Sequence, residues 1–132
     1  MAASAICLIA AGVVRASIPA TEFTLSWEHS VEKTRWEERY RIDGNRLALV
    51  SARVRGTGAG MEPPPDAQFA DGWWSWRPAL APLAAVRLAA SRYTPDYELC
   101  WGGHCSRLRR LLGPAAPEAA VELKPCDPAP PP

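Results

Sequence analysis

The stretch Phe23–Ile42, FTLSWEHSVEKTRWEERYRI, decides the fold. Phe23, Leu25, Trp27, His29 and Val31 alternate with Thr24, Ser26, Glu28 and Ser30, the period of two that marks a half-buried strand. A second run places Trp36, Glu38, Tyr40 and Ile42 on one face and Arg35, Glu37, Arg39 and Arg41 on the other. The residues between the runs are polar, so the two strands read as a hairpin. A turn centred on Lys33 and Thr34 pairs Val31 with Trp36, His29 with Glu38, Trp27 with Tyr40 and Leu25 with Ile42. That register keeps every apolar residue on one face, which is how register is normally selected. It also sets His29 against Glu38 on the apolar face. Buried polar groups need partners, so the pair reads either as a satisfied structural contact or as a ligand-contacting, proton-handling pair. One His and one Glu are too few ligands for a metal.

Downstream of the hairpin, Asp43-Gly44-Asn45 is a turn, and Leu47–Arg55 returns as a third strand. Its facing is open. A two-residue turn brings Leu47 and Leu49 inward, whereas a longer turn with a bulge brings in Ala48, Val50, Ala52 and Val54. Arg55–Gln68 holds three glycines and three consecutive prolines, which no sheet interior accommodates. It reads as a long loop in which Gly58 and Gly60 allow close backbone approach. In Phe69–Trp76, Trp74 and Trp76 share a face and Trp73 takes the other, giving either core packing or an exposed aromatic platform. Leu83–Ser91 fits a strand, with a short helix as the alternative.

Tyr97–Leu108, YELCWGGHCSRL, is a second hairpin around Gly102-Gly103. Trp101 then faces His104, Cys100 faces Cys105, Glu98 faces Arg107 and Tyr97 faces Leu108. Cys100 and Cys105 are positioned for a disulfide, which stabilises by roughly 2 kcal/mol because the closed loop is short. A zinc site with His104 and a redox-active thiol pair are the alternatives; metal-site spacing is absent. Ala119–Lys124 reads as a closing strand. The whole is all-β: a small antiparallel β-sandwich or partly open barrel built from hairpins.

The 132 residues suffice for one domain. Residues 1–20 carry an apolar run, Ala5–Val14, too short to span a bilayer as a helix, with small residues at Ala16 and Ala20. This reads as a secretory signal peptide or N-terminal anchor. The expected organisation is therefore 1–20 signal or anchor, 21–124 single β domain, and 125–132 disordered Pro-rich tail. Without residues 1–20 the chain carries 14 bases and 14 acids, which argues against nucleic-acid binding. Cys7 would leave with the signal, and Cys126 is expected in the tail, exposed and unpaired.

The ordered residues Phe23, His29-Ser30-Val31, Thr34, Glu37-Glu38, Tyr40 and Gly58-Ala59-Gly60 resemble the bacterial DUF1850 family, a domain of unknown function. The resemblance covers Phe23–Asp66 well and the remainder more loosely. The Cys100/Cys105 pair and the tryptophans at 73–76 are not general family features. The resemblance implies a small exported or membrane-anchored periplasmic domain, encoded beside the permease of a TAXI-type TRAP transporter.

The leading functional expectation is a non-enzymatic exported accessory domain that binds a transporter permease, a solute receptor or a small solute. Its candidate binding residues are His29, Ser30, Thr34, Glu37, Glu38, Gly58, Gly60, Trp73 and Trp74, and no cofactor or metal is expected. The alternatives are a small acid–base hydrolase using His29 and Glu38, and a purely structural envelope protein. Ser30 is a poor nucleophile for the first of these, because its side chain leaves the strand on the face opposite His29.

Overall fold

The computed structural model describes residues 3–28, 34–56, 63–89, 95–113 and 120–127. Among these, the strands in chain order are β1 (Ala5–Ala10), β2 (Val13–Ile18), β3 (Glu22–Glu28), β4 (Arg35–Asp43), β5 (Arg46–Arg55), β6 (Gln68–Ala70), β7 (Trp73–Trp76), β8 (Val86–Ala89), β9 (Glu98–Trp101), β10 (His104–Arg107) and β11 (Ala120–Cys126). One short helix, α1 (Leu108–Leu112), follows β10. The strands make two antiparallel sheets, ordered β2-β1-β11-β8 and β10-β9-β3-β4-β5-β7-β6. This is the expected all-β sandwich, and neither sheet closes into a barrel. Ile6, Leu8, Val121 and Leu123 of the smaller sheet share one core with Phe23, Leu25, Tyr40 and Leu99 of the larger. Each such side chain contributes about 1.5–3 kcal/mol on leaving water.

Residues 5–18 take a different place from the one expected of a signal or anchor. They form a hairpin, β1–β2, turned by Ala11 and Gly12, both at positive φ (52° and 74°). Ala5, Ile6, Cys7, Leu8 and Ala10 are all buried, because β1 runs between β2 and β11 and is covered on both faces. A strand buried on both sides shows no polar alternation, and so its sequence looks like an apolar leader. The far end of the chain differs from the expected tail. Pro125 and Cys126 belong to β11, where Ala5 lies opposite Cys126, and a disulfide joins Cys7 to Cys126. Pro125 is tolerated because the β8 pairing already ends at Leu123, so its missing N–H faces no neighbour. The protein thus holds two intrachain disulfides where one was expected.

The register of the first hairpin is also corrected. Trp27 lies opposite Trp36, Leu25 opposite Glu38 and Phe23 opposite Tyr40. Glu38 therefore does not face position 29 across the ladder, and His29 itself lies outside the described residues. The observed and expected registers differ by an even slip, which keeps all apolar side chains on the same face. Periodicity cannot distinguish the two. Stacking does: Trp27 and Trp36 lie nearly parallel at 6.1 Å, and Phe23 stacks on Tyr40 at 5.3 Å. Each pair adds about 0.5–1.5 kcal/mol beyond burial.

The open facing of β5 resolves into a compromise. Leu49 lies opposite Tyr40, but the register shifts after it, so that Ser51 meets Arg39 and Ala52 meets Glu38. This bulge lets Leu47 face inward in the first half of the strand and Ala52 and Val54 in the second. Phe69–Trp76 is a hairpin rather than one strand, turned by Asp71 and Gly72, both at positive φ. The β9–β10 hairpin has the expected register throughout, with Cys100 bonded to Cys105. Leu108 also donates its backbone N–H to the Tyr97 carbonyl.

Candidate functional site

The seven-stranded sheet divides the sequence-derived candidates between its two faces. Successive side chains point to opposite sides of a strand, so neighbours in sequence are separated in space. Glu37 and Trp73 lie on the outer face, away from the smaller sheet. Glu38 and Trp74 lie on the inner face. Thr34 immediately precedes β4. His29, Ser30, Gly58 and Gly60 lie outside the described residues.

On the outer face, Arg53 donates to both oxygens of the Glu37 carboxylate, from Nη2 to Oε1 and Oε2 at 2.9 Å each and from Nε to Oε2 at 3.2 Å. The Arg53 guanidinium also lies 4.0 Å from the centroid of the Trp73 ring. Trp73 therefore covers an ion pair and is not a free platform. Nearby, Arg35 donates to the Ser26 hydroxyl at 2.8 Å and to Glu98 at 2.9 Å. Ser26 is 2% exposed, so this bond satisfies a polar group that water cannot reach. Neither Arg35 nor Arg53 was singled out by sequence. Their places on the polar face follow from the alternation of β4 and β5, once the bulge in β5 is known.

On the inner face, the row of apolar side chains continues beyond the core as a run of aromatics. Trp27 packs against the core cluster and stacks on Trp36. Trp76 meets Trp36 edge-on at 6.3 Å, Tyr97 leans on Trp27 at 5.9 Å, and Phe69 leans on Trp74 at 5.0 Å. Phe69 is 52% exposed, so the Phe69–Trp74 pair reaches the surface. The indole Nε1 of Trp36 is buried and makes no hydrogen bond among the described residues. A buried donor without an acceptor costs about 1–3 kcal/mol, which makes this N–H the least satisfied point of the cluster.

Glu38 borders these rings. Tyr40 donates its hydroxyl proton to Glu38 Oε1 at 3.0 Å. Burial raises the Glu38 carboxyl above its ordinary value, and the Tyr40 hydrogen bond opposes that rise more weakly. The Tyr40 hydroxyl is raised as well, by burial first and then by the charge and hydrogen bond of Glu38. A carboxyl with a raised folded pKa binds its proton more tightly in the native state than in the unfolded one. Its contribution is therefore most favourable at low pH and is lost as pH rises through the folded value. Glu38→Gln retains an acceptor for Tyr40 and removes the buried charge. It is expected to melt higher than wild type at pH 7, with the gap closing as pH falls towards 4.5. Thermal melts across that range check this, and a gap that widens on acidification overturns it.

The donor atoms of Glu98, Cys100 and Cys105 lie within 4.8 Å of one another. With the two sulfurs bonded to each other, no thiolate is available to a metal, and the set does not fit a zinc centre.

The family described as Domain of unknown function (DUF1850) matches residues 23–108. No curated protein and no solved structure matches the chain.

Proposed function

We propose, from the premise that the chain belongs to the DUF1850 family, that it is an exported accessory module which recognises a component or solute of a TAXI-type TRAP transporter through its inner aromatic end. The observation that carries this reading is the cluster of Trp27, Trp36 and Trp76, with the surface-reaching Phe69–Trp74 pair on the same face, beside a carboxyl that burial biases towards its neutral form. Flat rings with a few hydrogen-bonding groups recognise partners and solutes, and nothing in that arrangement requires a reacting nucleophile. Two disulfides fit an oxidising compartment, which supports export. The transporter link comes from the resemblance.

The test is an affinity pull-down of the tagged protein from its host's envelope, with native mass spectrometry on the eluate. A permease or solute receptor is expected with wild type, reduced at least about tenfold with Trp36→Ala, as for a central aromatic anchor. A bound small solute lost in the same variant supports the solute-binding form. A lone, empty protein overturns both.

A further inference from the structure

The outer face holds a second site that is independent of the aromatic end. Three residues lie side by side across adjacent strands: Thr24 of β3 opposite Arg39 of β4, and Arg39 opposite Ser51 of β5. Cys100 of β9 extends the row beyond Thr24. Thr24, Arg39 and Ser51 floor a groove of about 280 Å³, walled by Glu37 and Arg53. A second groove, of about 310 Å³, opens from the same Thr24 and Arg39 towards the Cys100–Cys105 bridge and His104. Arg39 thus stands where the two grooves meet.

The arginines around it are already occupied. Arg53 holds Glu37 in a two-point pair, and Arg35 is held by Ser26 and Glu98. The Arg39 side chain makes no hydrogen bond among the described residues. Its nearest carboxylate oxygen is on Glu22, 3.9 Å away, and both side chains are more than half exposed. The Glu37 carboxylate beside it is already met by Arg53, so the Arg39 guanidinium donors stay available to a ligand. Hydroxyls on the adjacent strands sit on either side of it, within the roughly 5 Å spacing of cross-strand neighbours. A guanidinium between two hydroxyls presents converging donors, and its one carboxylate partner among the described residues, Glu22, is held only in a long, exposed ion pair that solvent screens.

We propose that Arg39, Thr24 and Ser51 form an oxyanion site, taking the carboxylate or phosphate group of a small solute whose remainder lies along the Cys100–Cys105 bridge. Guanidinium matches both groups by charge-assisted, two-point hydrogen bonding. Glu37 walls the groove with its charge already met by Arg53. The proposal does not depend on the transporter reading, and a pull-down that fails leaves it untouched.

The experiment is a titration of backbone amide resonances in the full-length oxidised protein. Succinate and inorganic phosphate are compared with sodium chloride at equal ionic strength. Saturable shifts centred on Thr24, Arg39 and Ser51 are expected with at least one of the two. Succinate alone assigns a carboxylate ligand, phosphate alone assigns a phosphate ligand, and either supports the site. Arg39→Gln should weaken the response at least about tenfold, the loss of a charge-assisted pair. Arg41→Gln, a neighbouring arginine outside both grooves, should leave it unchanged. Arg39 is exposed, so an unaltered melt for Arg39→Gln excludes misfolding as the cause. No saturable shift beyond the chloride control overturns the proposal, as does a response that survives Arg39→Gln or vanishes equally in Arg41→Gln.

Discussion

A chain that begins at Thr21 is expected not to fold. Removing the residues before it deletes β1 and β2, and β1 is an inner strand of its sheet. What would remain of that sheet is the β11–β8 pair, and a two-stranded ribbon does not hold itself together in water. Ile6, Leu8 and Ile18 are fully buried and would be lost from the core. Truncating such side chains to alanine costs about 2–5 kcal/mol each, so these three together reach roughly 6–15 kcal/mol. That equals the whole stability of an ordinary domain, about 5–15 kcal/mol. Circular dichroism and a denaturant titration check this; a cooperative transition in the truncated chain overturns it. Cleavage after Ala20 would yield this chain, so the same measurement separates a removable leader from a structural hairpin.

Replacing Cys7 and Cys126 together with serine is expected to lower the unfolding free energy by about 5 kcal/mol, the entropy of releasing a loop with 119 residues of separation. The corresponding change at Cys100 and Cys105, separated by 5, should cost about 2 kcal/mol. The contrast arises in the unfolded ensemble. The longer bridge holds nearly the whole chain in a ring, whereas the shorter one closes a hairpin whose ends the Gly102-Gly103 turn already keeps close. Urea titrations of the two double variants, with wild type as reference, give both numbers. No loss on replacing Cys7 and Cys126 would show that the long bridge does not form in solution.

How much of this was legible in the sequence depended on how tightly each turn pins its strands. Gly102 and Gly103 both adopt positive φ in a two-residue turn, which leaves one register for β9 and β10. That hairpin was readable residue by residue. Between Glu28 and Arg35 the connection is longer, and alternation tolerates any even slip. The face of each residue was readable there, and its partner was not. The candidate site suffered accordingly. Glu38 could be placed on the inner face, but its contact with Tyr40, two residues along the same strand, needs the side chains themselves. β1 was hidden for another reason. A strand enclosed on both faces carries apolar residues at consecutive positions, and composition then suggests a leader segment. The Cys7–Cys126 link was lost with it.

The pairing of β1 with β11 also sets an order of events. A chain emerging vectorially presents its first strand long before the strand that will lie beside it exists. β3, β4 and β5 can pair as each follows the last, so the larger sheet has mostly local assembly steps and the smaller sheet waits for the final residues. During that interval the Cys7 thiol meets Cys100 and Cys105 before Cys126 appears. In an oxidising compartment the earliest bridge available to Cys7 is the wrong one, and reaching the native pair then requires thiol–disulfide exchange. Under oxidising conditions, misbridged chains are then the expected product when that exchange is slow.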